Sequence, residues 1–422
     1  MSMDQRIDPA LLRDPALLRG LTQRRYDRRD IMRMFGVGAG LGAAGLALAA
    51  CGVKGAKQAP ATQDDVAKFW TGKAKNGHLD FATWALYMPT DHAPLTAFTK
   101  ETGVTVNYQE VIQDDPSWYG KIQPQLAADK SIGYDLMVVT NGVELEKLIQ
   151  FGYLAPLDHS KLPNFAQNAD PIYKNEPFDK GNVYTIPYTS GYTGIAYNPT
   201  YVKEPITKIA QLWDPKYAGK IGMMKDPQEL GNFGMLLLGI NPETSTQPDW
   251  TKAAAKLREQ KPLVRAYVQQ DYTKSLANGD LWICMGWSGD IFQENASNGS
   301  NLKFVVPEEG GNIWTDNMTI PKTATNPVDA LMMMDYFYRP EVAAQLTEFI
   351  NYVTPVPATK DIIAKDAAAA TGDDKKTLEA VLTSPLVYPT QADLAKLKHY
   401  ATLKTADAQK AYQDTFLPIS TG

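Results

Sequence analysis

From His78 to Phe151 short strand-like runs alternate with amphipathic helical stretches, and this rhythm limits the folds open to the chain more than any other feature. Strands are expected at 78–87, 104–108 and 134–139, and helices at 65–70, 94–102, 118–129 and 143–151. Alternation of this kind builds an α/β fold with a mostly parallel sheet and helices on both faces. Ligands then gather at the carboxyl ends of the strands. A second α/β stretch follows, with strands at 184–197, 220–224 and 280–287 and helices at 229–238 and 250–260. The chain after Thr354 reads as helical with few strand signals. At 422 residues it is too long for one average domain, so two lobes are expected.

The first fifty residues do not belong to this pattern. Arg28 and Arg29 precede the stretch Met34–Ala50, which carries no charge and is rich in Gly and Ala. Such a segment is a signal peptide of twin-arginine type. It ends at Leu48-Ala49-Ala50-Cys51, and small residues before a cysteine resemble a bacterial lipobox. On that resemblance cleavage makes Cys51 the first residue, and its thiol carries a diacylglycerol whose two acyl chains anchor the protein. Gly40-Leu41-Gly42-Ala43-Ala44-Gly45 fits a dinucleotide fingerprint formally, but no strand precedes it and the leader accounts for its glycines. Residues 51–63, rich in Lys, Gly, Ala and Pro, are expected to form a flexible tether.

Charge and composition narrow the chemistry. Residues 1–33 hold eight arginines against five aspartates, so the remainder carries about −8 where the whole chain carries −5. An acidic body is unsuited to nucleic acid and compatible with a cationic ligand, although a solvated acidic surface would look the same. The four histidines are scattered without metal-ligand spacing, and the chain has no nucleophile elbow and no phosphate loop. Cys284 lies in the apolar run Leu281–Met285 and reads as a buried small hydrophobe. No enzyme, cofactor or metal is expected.

The aromatic residues say more. Among eight tryptophans and 21 tyrosines, several stand beside lone carboxylates near expected strand ends: Trp84 with Tyr87, Trp287 with Asp290, Trp314 with Asp316. Ring faces and carboxylates together suit an ammonium ion, although most aromatic residues in any protein only fill core.

An ordered series of motifs then becomes familiar. It includes Phe98-Thr99-Lys100-Glu101-Thr102-Gly103, Tyr134-Asp135-Leu136, Gly152-Tyr153-Leu154, Pro177-Phe178-Asp179 and Ile186-Pro187-Tyr188. It continues through Leu276–Asp280, Gly286-Trp287-Ser288-Gly289-Asp290, Val306–Gly311 and Arg339-Pro340-Glu341-Val342-Ala343. From about Leu79 to Pro357 the chain resembles the bacterial spermidine and putrescine periplasmic binding proteins. The resemblance implies the two-lobed periplasmic-binding-protein fold of type II, with ligand in a cleft closed by hinge bending. One lobe would comprise 64–187 with 311–365, the other 188–310, and residues 366–422 would form C-terminal helices packing across both. It further implies a monomer that delivers a polyamine to an ABC permease driven by a cytoplasmic ATPase.

Ligand residues follow by position. Trp84 and Tyr87 match a Trp and a Tyr of the first-strand loop, and Trp287 and Asp290 match the Trp-x-x-Asp of the second lobe. Asp226 and Glu229 match an acidic site at a helix mouth, where the plainer reading is that Glu229 favours the helix's positive end. Asp316 matches an Asp before the strand that returns to the first lobe, and Tyr352 an aromatic near residue 355. Thr140 would lie in the loop after the third strand. Leu86 departs from the pattern, because an acidic residue usually precedes that Tyr. Thr189-Ser190-Gly191 and Asn141-Gly142-Val143 replace aromatic positions. These departures keep another small organic cation or an amino acid open as ligand. An extracytoplasmic enzyme or adhesin on the same scaffold is the remaining alternative.

Overall fold

The computed structural model describes residues 61–269 and 272–421. The expected leader, Cys51 and the tether as far as residue 60 lie outside the described residues. Thr62 caps helix α1 (Gln63–Trp70) in a reciprocal box with Asp65, and the Ala61 amide donates to the Tyr184 hydroxyl at 3.2 Å. Residues 61–63, expected as tether, therefore belong to the folded body.

The predicted alternation is present as β1 (His78–Trp84), α2 (Ala93–Thr102), β2 (Thr105–Ile112), α3 (Asp115–Ala127), β3 (Leu136–Thr140) and α4 (Val143–Gln150). β1 stops three residues short of the expected end because Leu86 adopts φ 62°, a left-handed conformation that breaks the extended backbone. A short α5 (Pro163–Asn168) leads to the long β4 (Thr185–Tyr197). Next come β5 (Ile221–Met224), α6 (Pro227–Leu237), α7 (Gln247–Gln260), β6 (Val264–Val268), α8 (Tyr272–Asn278), β7 (Ile283–Trp287) and α9 (Ser288–Asn298). The short β8 (Lys303–Val305) and the long β9 (Gly311–Thr319) follow. The tail holds α10 (Pro327–Tyr336), α11 (Pro340–Ile350), α12 (Thr359–Ala369), α13 (Gly372–Thr383), α14 (Gln391–Leu394), β10 (Leu397–Lys398) and α15 (Ala406–Thr421).

One sheet unites these strands in the order β2-β1-β3-β9-β4-β7-β5-β6, with β10 added beside β9 and β8 beside β4. At each end three strands run parallel: β1 with β2 and β3, and β5 with β6 and β7. The expected parallel sheet gives way at the centre, where β9 runs antiparallel to both β3 and β4, and β4 antiparallel to β7. β4 and β9 thus join two α/β halves. Around β1 and β3, Phe81, Leu136, Val138 and Phe98 pack against α10 and α11 through Met334 and Leu346. In the other half Ile221, Met223 and Ile283 pack against α6, α7 and α15 through Phe233, Leu257 and Phe416. Cys284 is completely buried there, and burial pushes its thiol well above the usual range, as a core residue requires.

Candidate functional site

The site assembles where the central strands meet the N-termini of α6 and α9. Thr193 of β4 pairs with Trp287 of β7 on one side and with Asn312 of β9 on the other, so three neighbouring strands present one polar side chain each at the same level. All three point at Glu229. The Thr193 hydroxyl donates to Oε1 at 2.6 Å and the Trp287 indole to the same oxygen at 3.0 Å, while the Asn312 amide donates to Oε2. The Tyr400 hydroxyl, arriving from beyond β10, completes the set at 3.0 Å from Oε1.

Glu229 reaches this position because Asp226 caps α6, accepting from the Gln228 and Glu229 amides at 2.8 and 3.1 Å, with Pro227 opening the first turn. Asp226, expected as a ligand contact, therefore holds the helix end that carries Glu229.

A second carboxylate lies one step along the sheet. Asp316 stands between Thr140 of β3 and Thr189 of β4, and is 2 % exposed. It lies within β9, where the sequence placed it before the returning strand, and Thr140 is the last residue of β3 instead of a loop residue. Asp316 accepts from the Thr140 hydroxyl at 2.6 Å and from the Tyr87 hydroxyl. Tyr87 is fixed in turn by stacking on Tyr188 at 6.0 Å, and the Tyr188 hydroxyl donates to the Tyr87 carbonyl at 2.6 Å. Trp84 is tied to the sheet through its indole, 3.1 Å from the Val138 carbonyl.

Asp290, in the first turn of α9, accepts from the Tyr352 hydroxyl at 2.8 Å and from the Tyr272 hydroxyl at 3.1 Å. The Tyr272 hydroxyl also accepts the Trp287 amide at 2.8 Å, which links this acid to the Glu229 cluster. Trp314 meets Tyr352 edge to face at 5.1 Å.

The Trp287 indole donates to Glu229, and its amide reaches Asp290 through the Tyr272 hydroxyl, while Asp316 accepts from Tyr87. The structure groups Tyr87, Thr140 and Asp316 on one side and Glu229, Trp287, Asp290 and Tyr352 on the other. Thr193, Tyr272, Asn312, Trp314 and Tyr400 join them, as does Asp115 at the start of α3, with an oxygen 3.4 Å from the Thr140 amide. Of these six, only Trp314, two residues from Asp316, carries a signal legible in the sequence.

The electrostatics are unbalanced. None of the ion pairs among the described residues involves Asp115, Asp226, Glu229 or Asp316. Burial raises the Asp316 carboxyl to about 6 against the pull of Thr140 and Tyr87. Burial lifts Glu229 too, opposed by Thr193, Trp287 and Asn312, and lifts Asp115 further with help from the nearby charges of Asp316 and Glu144. A group of buried carboxyls without an ion-paired lysine or arginine among the described residues suits a positive ligand. Among the described residues no group of side chains is arranged to hold a metal ion.

Two α/β halves joined by crossing strands, with acids and rings between them, form the periplasmic-binding-protein fold of solute receptors. A structure described as a spermidine/putrescine ABC transporter from Listeria monocytogenes superimposes with a TM-score of 0.68 at 27% identity, covering 82% of this chain and 99% of that one. The chain belongs to the family of bacterial extracellular solute-binding proteins, whose model matches residues 93–377. It is 30% identical over 370 residues to spermidine/putrescine-binding periplasmic protein 1 of Haemophilus influenzae, covering 87% of this chain and 94% of that protein. It is 33% identical over 294 residues to the spermidine/putrescine-binding periplasmic protein of Escherichia coli, covering 69% and 82%. The chain is thus a solute-binding component of a transporter that works outside the cytoplasm, and not an enzyme. Among the described residues no helix is long and apolar enough to cross a membrane.

Proposed function

We propose that this receptor captures a polyamine of the spermidine or putrescine type and delivers it, as a monomer, to an ABC permease with a cytoplasmic ATPase. The observation that carries the reading is the convergence of the buried Glu229 and Asp316, neither with a lysine or arginine ion pair among the described residues, and the half-buried Asp290, beside Tyr87, Trp287 and Tyr352. Ammonium groups would replace or join the hydroxyl and indole donors on the carboxylates, and the alkyl chain would lie against the rings. The names of the relatives support the same ligand class.

In this reading the ligand-contacting set is Trp84, Tyr87, Thr140, Glu229, Trp287, Asp290, Asp316 and Tyr352, with Asp226 as support for Glu229. Residues 64–187 with 311–365 form lobe 1, residues 188–310 lobe 2, and residues 366–422 span them. Cys51, after removal of residues 1–50, carries the lipid that keeps the receptor at the outer face of the membrane. Cys51→Ser should release it into the soluble fraction.

Calorimetric titration of the body after Cys51 with putrescine, spermidine, spermine, arginine and a neutral amino acid tests the ligand. Saturable micromolar binding of one polyamine, lost in Asp290→Ala, supports the proposal. Selective binding of arginine or of the neutral amino acid would overturn it.

A further inference from the structure

The tail between β10 and α15 touches both lobes within a few residues. β10 pairs in parallel with Gly311 and Asn312 of β9, and a side chain at Gly310 would strike the Lys396 carbonyl at 2.4 Å, so the chain passes close against the central strands. His399 then donates its amide to Glu243 at 2.9 Å and accepts Asn232 at 3.2 Å, and Tyr400 reaches Glu229; all three partners are in lobe 2. α15 continues on the same lobe, with Tyr412 edge-on to Trp250 at 5.1 Å and its hydroxyl pressed against Gly231.

Leu403, between these anchors, is gripped from the other side. Its amide donates to both carboxylate oxygens of Glu146, at 3.2 and 3.0 Å, and its carbonyl accepts the Gln150 side chain at 3.2 Å. Both partners stand on α4 of lobe 1. At the head of α4 the Val143 amide donates to Gln228 of α6 at 2.9 Å, a direct bond between the lobes. Glu146 is buried, and the Leu403 amide is the foremost of the groups that offset its burial, ahead of Gln409 and Lys404.

We infer that residues 399–403, which follow the pairing of β10 on the crossing strand β9, are a strap, fixed to lobe 2 at His399 and Tyr400 and latched to α4 of lobe 1 at Leu403, that holds the closed form shut. The strap couples to the ligand through Tyr400 on Glu229. Opening the cleft by swinging lobe 1 away parts Leu403 from Glu146 and Gln150, while the lobe 2 anchors stay in place. The latch therefore acts mainly on the rate of ligand release. The inference rests on the polyamine reading only for its kinetic arm.

The test uses the full body after Cys51 carrying Glu146→Ala with Gln150→Ala, and separately Glu146→Gln, which keeps one acceptor. Solution X-ray scattering without ligand should show the double variant more expanded than the parent, with Glu146→Gln between them. Stopped-flow release of spermidine should be about tenfold faster or more in the double variant, with little change in the association rate. Circular dichroism establishes that each variant is folded; should the double variant fail, Glu146→Gln carries the test alone. Folded variants with the parent's scattering curve and the parent's release rate would overturn the strap. If spermidine does not bind the parent, the ligand reading fails, and the scattering comparison still decides the strap.

Discussion

Thr193 and Trp287, paired across β4 and β7, donate to the same oxygen of Glu229. The backbone register of the sheet fixes how this carboxylate is held. Replacing Thr193 by Val removes one donor while preserving shape and strand preference. Spermidine affinity should fall about tenfold or more and the melting temperature by a few degrees, because a hydrogen bond to a charged group is worth about 1.5–3 kcal/mol and this one is already made in the empty fold. Calorimetry and thermal melting measure the two effects, and unchanged affinity would remove Glu229 from the binding site.

Asp316 makes binding depend on pH. Its ordinary value is 3.8 and its folded value about 6, so between those values the folded protein keeps a proton that the unfolded chain has released. Ionised Asp316 thus costs the empty fold stability as pH rises through this window, and a bound ammonium offsets that cost. Ligand binding near pH 6 should release about half a proton, and affinity should drop about tenfold from pH 7 to pH 5. Titrations in two buffers of different ionisation enthalpy read the proton directly. A pH-independent constant with no proton release would refute the placement of Asp316 against the ligand.

Asp290 and Tyr352 separate charge from shape. Asp290→Ala should weaken spermidine binding at least tenfold, as expected for the loss of a charged partner. Tyr352→Phe keeps the ring against Trp314 and should weaken it less. The reverse order would mean that the Tyr352 hydroxyl itself meets the ligand.

Gly191 tests the packing behind the rings. A methyl group there would lie 2.4 Å from the Trp314 ring, so Gly191→Ala must displace that indole, which packs edge to face on Tyr352. Both melting temperature and spermidine affinity should fall, the first by several degrees for an overpacking cost of about 1–3 kcal/mol. A variant with the parent's melting curve would show that Trp314 has room to move.

The alternating elements from His78 to Phe151 were legible because their apolar residues follow a helical or strand period. β9 was not, since Asn312, Thr315, Asp316, Asn317 and Thr319 are all buried. A strand with polar side chains buried on both faces shows neither an apolar run nor alternation. Motif position found Glu229, Asp290 and Asp316. It also singled out Tyr87, Thr140, Trp287 and Tyr352, but not Thr193 and Asn312, which meet at Glu229 through strand register more than a hundred residues apart, nor Tyr400, which arrives from the tail. Asp226 was legible as an acid near the site, but its role as cap depends on where α6 begins.

β4 and β9 cross between the lobes side by side, hydrogen-bonded to each other from Thr185 to Thr193. Two strands laced together resist shear and twist, and bend easily only out of their common plane. Movement of the two halves about these strands would then be described by a single opening angle. A permease that touches one point on each lobe can read whether the cleft is filled from the distance between those two points, without meeting the ligand.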